Sequence, residues 1–295
     1  MPESRVASQA SDLLPVAAGG GTAAIWIAFA LPCAWACAPS LAGLQPAEVA
    51  PRGHVQVAAG VAIGIPTGTV SRTVDAARAL AQAAATQQLT APQKLQLFEA
   101  SASFVGSPPS VGPHLSAAYS VRDDTEVNLQ YASGAWRLGS RLQILRRTAG
   151  PFDLVAGVGV SHAGQVASIG DVLPVVHLHG VQRWMVDLPF EVGTSRSWFR
   201  VWGGPKLAYT HVSAGAELDL VNGEKASASL TLRGIYWGAQ GGLAIGYRAL
   251  FIGFELTVLE LVASGDAVTT VSAARTGLDF GGWLFTPAVA LMGEF

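Results

Sequence analysis

From His54 to the end of the chain, apolar and polar residues alternate. In "HVQVAAGVAIGIP", Val55, Val57, Ala59, Val61, Ile63 and Ile65 fall on one face and Gln56, Ala58, Gly60, Ala62 and Gly64 on the other. "EVNLQYAS" sets Val127, Leu129 and Tyr131 against Glu126, Asn128 and Gln130, and "WRLGSRLQILRR" sets Trp136, Leu138, Leu142 and Ile144 against Arg137, Arg141 and Gln143. "FDLVAGVGVSH" and "RWMVDLPFEVG" do the same, with Asp153, Arg183, Asp187 and Glu191 on their polar faces. In the final "WLFTPAVALMGEF", Phe285, Val289, Leu291 and Phe295 oppose Thr286, Ala288, Ala290, Met292 and Glu294. Period-2 alternation is the signature of β-strands. Here one face is almost purely apolar, and the other mixes glycine with charges of both signs.

The spacing of turn residues orders these strands. Tight breaks fall at 122–125, 148–151, 194–197 and 248–250. Longer connections fall at 67–112, 164–177, 213–230 and 263–280, with "SGA" at 133–135 a short member of that second set. Short and long connections therefore alternate. The pattern predicts about ten antiparallel strands (eight or twelve also fit), near 54–66, 112–121, 125–133, 135–147, 152–163, 177–193, 197–212, 231–248, 250–263 and 282–295. An even count puts both strand termini on the same side. The first long connection differs from the rest. "SRTVDAARALAQAAATQQLTAPQ" is alanine-rich and favours helix, Pro92 interrupts it, and "KLQLFEASASF" follows. A helical excursion over about 70–104 is expected, either a gate or partner-binding lid or a structural filler of the lumen.

Composition decides what the alternation means. Half of the 295 residues are hydrophobic and 13% are charged, where about 25% is usual. A helical membrane protein would need runs of about 20 apolar residues, and only 25–44 qualifies; 241–262 is interrupted by Arg248, Glu255 and Glu260. Dispersed hydrophobicity in alternation is what a transmembrane β-barrel shows, because one face of each strand meets lipid. The expected fold is thus all-β, an antiparallel transmembrane β-barrel. With a formal net charge of −2 and no basic patch, nucleic acid is not an expected partner.

"TAAIWIAFALPCAWACAPSLAG" (22–43) reads as the apolar region of a signal peptide, and Ser40-Leu41-Ala42 as a small-x-small cleavage site. An uncleaved anchor and lipidation at Cys37 are the alternatives. Cys33 and Cys37 are the only cysteines, so cleavage after Ala42 leaves none and excludes disulfides and Cys-type zinc sites. The expected organisation is a signal peptide over 1–42, a short Pro-containing linker over 43–53 and a barrel over 54–295.

With an export signal, alternation across 54–295 and a terminal aromatic, the chain resembles the small bacterial outer-membrane β-barrel proteins. The resemblance implies residence in the bacterial outer membrane among its lipids. It also implies that Phe295, Leu291 and Val289 form a signal read by the barrel-insertion machinery, from which Gly293 departs, since another bulky apolar residue is usual there.

The polar faces nominate lumen charges: Arg137, Arg141, Asp153, Arg183, Asp187, Glu191, Arg200, Lys206, Arg248 and Glu255. A ten-stranded barrel is barely wider than one that side chains fill, so these ions must pair or stay hydrated. They form either a rigidifying network or the lining of a narrow, selective pore. His162, His177, His179 and His211, expected near the outer rim, are a candidate zinc or copper set. Ser161 and His162 are sequence neighbours and so point to opposite faces. No nucleophile elbow, phosphate loop or cofactor motif is present. The function expected is a non-enzymatic outer-membrane barrel, a narrow channel or a structural and interaction element of the envelope, with a small solute or an envelope protein as partner. Two alternatives stand beside it: an outer-membrane enzyme, lipid-modifying or proteolytic, using the histidine rim, and a soluble ligand-binding β-barrel.

Overall fold

The structure is a computed structural model that describes residues 41–86, 91–147, 151–164, 176–219, 225–269 and 275–295. Ten antiparallel strands close into one barrel, each paired with its sequence neighbours: β1 (Val55–Pro66), β2 (Ser110–Arg122), β3 (Thr125–Ala132), β4 (Ala135–Leu145), β5 (Asp153–Ala163), β6 (Val176–Ser195), β7 (Phe199–Asp219), β8 (Lys225–Tyr247), β9 (Leu250–Thr269) and β10 (Arg275–Glu294). Closure is by β1 against β10, in a register that sets Gln56 opposite Glu294 and Val61 opposite Val289. Beyond Glu294, the Phe295 amide donates to Val55 O at 2.9 Å and its carbonyl accepts from Val55 N at 2.9 Å. Phe295 therefore continues the β1–β10 ladder, and the sheet closes on itself over the height of β1.

The expected apolar faces point outward. Val57, Leu129, Leu138, Val160, Val186, Leu243, Phe254 and Leu291 are all exposed on the barrel wall, while Glu126, Arg141, Asp187, Glu191 and Glu255 are buried inside it. Exposed aromatics gather at two levels. Tyr119, Phe152, Trp198, Tyr247 and Phe295 lie at the rim that holds both strand termini, and Trp136, Trp184, Trp237 and Trp283 lie above them. On β8 the two levels, Tyr247 and Trp237, are ten positions apart. That is the span of a tilted strand across a hydrocarbon core, about 9–11 residues. An apolar band between aromatic girdles around a polar interior is the architecture of a transmembrane β-barrel.

The wall is uneven. β3 and β4 have 8 and 11 residues, while β6 to β10 have 20 to 23 and overshoot the band. The connections expected over 213–230 and 263–280 are thus largely strand, and 220–224 and 270–274 lie outside the described residues. The reason is an inversion of the pattern. Above the upper girdle, Ser213, Ser229, Thr231, Arg233, Ser264 and Asp279 face out, and Val212, Ala216, Leu230, Leu232, Ala267 and Leu278 are buried inside. Alternation continues there with its faces exchanged, so a rule requiring apolar residues outside reads it as loop.

The helical excursion packs here as α1 (Thr67–Thr86) and α2 (Ala91–Gly106), longer than the expected 70–104, with 87–90 not described; α2 enters the interior, and α1 lies against α2 and β10 with its other face exposed. α1 begins directly where β1 ends. Its start lies against β10, where Gly282 adopts φ +149 and its α-carbon nearly touches Gly68; a Cβ built on Gly282 would sit 2.8 Å from Gly68 Cα. Only glycine fits this close, left-sided crossing. α2 buries Ala102, Phe104 and Val105; Ala102 and Val105 share a core with Leu230, Leu232, Leu261, Leu278 and Phe280.

Candidate functional site in the barrel lumen

The largest departure from the sequence reading lies before β1. Residues 43–53, expected as a linker, are not a solvated tether: Leu41, Ala42, Leu44, Ala47, Val49 and Ala50 are all at most 3% exposed and run inside the barrel. The chain passes down the lumen to a turn at Pro51–Gly53 on the lower rim, then enters β1. A chain in this position has no strand neighbour, and its buried backbone groups must be satisfied otherwise. Lumen side chains do this.

Lys206 Nζ donates to Leu41 O at 2.5 Å and Gln130 Nε2 to Ala42 O at 3.1 Å. The Gly43 and Leu44 amides donate to the two oxygens of Glu255 at 2.6 and 2.7 Å. Arg141 Nη1 donates to Pro46 O at 2.8 Å, and the Val49 amide donates to Gln143 Oε1 at 2.6 Å. The segment 41–50 is thus an internal strap. Leu44 and Ala47 add apolar contacts with Trp202, Ala244, Phe251 and Met292.

The charges that hold the strap are fixed by one another. Arg141, 1% exposed, donates to Glu126 at 2.7 Å and Glu191 at 3.0 Å while also reaching Pro46. Gln240 donates to the second oxygen of Glu191 at 2.6 Å. Arg137 forms a two-toothed pair with Asp187, Nε to Oδ1 at 2.8 Å and Nη2 to Oδ2 at 2.7 Å, and reaches Asn128 at 2.7 Å. Its guanidinium lies over Gly159, where any Cβ would collide with it; this is why β5 carries glycine at that position. Glu255 also accepts from Trp202 Nε1 at 3.1 Å and Thr257 Oγ1 at 3.2 Å. Fork-shaped guanidinium–carboxylate pairs of this kind are short, directional and strong.

The upper helices are latched by a different cation. Arg183, buried on β6, donates to Val105 O and to Gly106 O, the latter at 3.1 Å, and Tyr236 Oη donates to Gly106 O at 3.1 Å. These are end carbonyls of α2, which lack intrahelical partners and attract positive charge. Leu41 belongs to the same apolar core as Ala102 and Val105, so the strap and α2 share it in the barrel interior. Two cavities beside the strap, both lined in part by Leu41, have about 20 Å³ each, room for one or two waters.

Of the nominated lumen charges, Arg137, Arg141, Asp153, Arg183, Asp187, Glu191, Lys206 and Glu255 face the interior, and Arg200 pairs with Glu294 at 2.7 Å near the lower rim, its guanidinium 4.3 Å from the Phe251 ring centroid. Arg248 does not belong with them. It occupies the turn between β8 and β9 at φ +57, with its guanidinium over the Tyr247 ring outside the lumen; a two-residue turn leaves it no inward face. Glu126, on the polar face of β3 and outside the nominated set, is a central member of the network, paired with Arg141 at 2.7 Å. His114, fully buried on β2 with neither ring nitrogen hydrogen-bonded among the described residues, carried no sequence signal at all.

The four candidate metal histidines do not converge. His162 and His211 face outward on either side of Trp184, in a cross-strand row Trp136–His162–Trp184–His211, with the His162 and Trp184 ring centroids 4.4 Å apart. His177 and His179 stand higher, opposite Glu217 and Gly215. Among the described residues no group of three or more His, Cys, Asp or Glu could hold a metal ion. Trp184 stands between His162 and His211, and the extra height of β6 carries His177 and His179 away from both. Ser161 faces the lumen while His162 faces out, so the enzyme alternative finds no nucleophile–base pair there.

No protein-family model and no curated protein sequence matches the chain. Among solved structures, it is similar to the crystal structure of Ail, the attachment invasion locus protein of Yersinia pestis, at 10% identity and a TM-score of 0.30, over 83% of this chain and 99% of that one. It is also similar to the CymD monoaromatic hydrocarbon channel, at 7% identity and a TM-score of 0.24, over 83% and 89%. Both overlaps are loose, and the fold assignment rests on the strand pairing of this chain.

Proposed function

We propose that this protein is an exported outer-membrane barrel that works closed, as a structural or interaction element of the bacterial envelope. The observation that carries the reading is the strap: within residues 43–50, which the expected cleavage leaves in place, four backbone groups, from Gly43 N to Val49 N, are bonded to lumen side chains. In a standing channel those polar groups would face water and solute. Here Arg141, Gln143 and Glu255 are consumed in holding the protein's own chain, and the α2 end is held by Arg183. The apolar band between two aromatic girdles supports membrane residence over the soluble ligand-binding alternative, since a soluble barrel would expose Leu138, Leu243 and Phe254 to water at great cost. Membrane lipids and the insertion machinery are the partners this requires. An envelope protein would meet the polar outer face of β7–β10 or the helices.

Conductance across planar bilayers tests the reading. The intact protein should insert without a steady unitary current, and deletion of residues 43–50 should produce one. A steady current from the intact protein would favour the narrow-channel reading instead.

A further inference from the structure

Among the described residues, Asp153 and Glu255 are interior carboxylates that no cation contacts, and of the two only Glu255 bonds the strap. Glu126 and Glu191 face Arg141, Asp187 faces Arg137, and Asp153 accepts the Arg147 amide near the lower rim. Glu255 is 3% exposed and lies within salt-bridge distance of no cation of the described residues. Two of its four hydrogen bonds come from the adjacent amides of Gly43 and Leu44. Glu191 flanks the same point: a Cβ built on Gly43 would lie 3.7 Å from Glu255 Oε2 and 3.8 Å from Glu191 Oε1. Lys206 attracts Glu255 through space without touching it, and a buried carboxylate with no cation in contact is costly. The atom it grips at the shortest distance is the nitrogen directly after Ser40-Leu41-Ala42.

We propose that the mature chain begins at Gly43 and that its α-ammonium is the cation that neutralises Glu255 inside the barrel. Hydrolysis of the Ala42–Gly43 peptide bond by a leader peptidase adds water across it. The hydroxyl goes to the Ala42 carbonyl and a proton to the Gly43 nitrogen, which takes up a second proton at neutral pH. The amide that donates one hydrogen bond at 2.6 Å thereby becomes a three-donor cation at the same place, able to reach Glu191 as well as Glu255. Leu41 and Ala42 depart with the leader, which widens the small cavity that Gly43, Asp187, Glu191 and Lys206 line together. Lys206 then exchanges the Leu41 carbonyl for the carboxylates that share that cavity. Processing becomes a condition of the finished interior: an uncleaved chain carries a neutral amide where the network needs charge.

The inference rests on the export reading, and one preparation separates the two. Protein purified from the outer-membrane fraction is sequenced from its N-terminus and weighed intact, then treated near neutral pH with an amine-reactive ester in folded and in denatured form. The expected result is a chain starting at Gly43, whose α-amine reacts about tenfold or more slowly folded than denatured, with that protection lost in Glu255→Gln. A full-length chain of 295 residues would overturn the export reading and this inference with it. Any other processed terminus, an acylated Cys37 included, would leave export standing and overturn the inference. So would an α-amine at Gly43 that reacts equally fast in both forms.

Discussion

On β8 the residues from Ser227 to Arg233 and those from Ile235 to Tyr247 obey opposite rules. In the upper part Ser229, Thr231 and Arg233 face out and Ala228, Leu230 and Leu232 are buried; in the lower part Ile235, Trp237, Leu243 and Ile245 face out and Tyr236, Gln240 and Ala244 face in. One continuous ladder thus passes between two solvents. Above, water outside requires an apolar interior, and the barrel closes on α2 like a soluble sheet on a helix. Below, lipid outside leaves the interior to polar groups, and it closes on the strap through ion pairs and backbone hydrogen bonds. The upper plug is held mainly by shape and apolar area, the lower one mainly by directed charge.

If this contrast is right, the largest effect should come from the charge hub of the lower part. Arg141→Ala leaves Glu126 and Glu191 without their cation and Pro46 O without its donor in a dry interior, a loss of about 3–5 kcal/mol, read as a fall in the temperature or urea concentration at which the gel-mobility shift of the folded barrel disappears. Next in size is a test of the two solvents on one strand. Leu243→Arg, outward between the girdles, should cost about 2–4 kcal/mol, whereas Thr231→Arg, outward above them, should stay within about 0.5 kcal/mol; equal costs at both sites would erase the boundary. Arg183→Met removes a charged latch from the end of α2 and should cost about 1.5–3 kcal/mol, with faster tryptic cleavage at Arg72 or Arg78 while the strands stay protected. The smallest effect belongs to Tyr236→Phe, which deletes one hydrogen bond to Gly106 O and should cost about 1 kcal/mol with little change in proteolysis.

The sequence was most legible where lipid enforces a strict rule. Phe285, Val289 and Leu291 on one face, and Arg137, Arg141 and Asp187 on the other, sufficed for strand number, closure and interior. Legibility failed where the rule changed. The upper halves of β7 to β10 kept the period but exchanged the faces, so Ser213 to Asp219 read as loop. The strap was illegible for a different reason: "LAGLQPAEVA" has neither helical nor strand period, and what orders it is Glu255, Arg141 and Gln143, between 94 and 212 positions away. Local pattern carries no information about such partners. His114 was missed because a lone histidine in "SVGPHLS" carries no spacing to interpret.

The occupied lumen is the central claim, and a cysteine at Ala47 reports on it most directly. With Cys33 and Cys37 replaced by serine, Ala47→Cys is reacted with a water-soluble maleimide in the folded, detergent-solubilised barrel, with Arg52→Cys on the exposed turn as the reference. The account predicts that position 52 labels at once and position 47 only after denaturation. Equal, rapid labelling of both in the folded barrel would mean that residues 41–50 lie outside the lumen, and the closed-barrel account would fall.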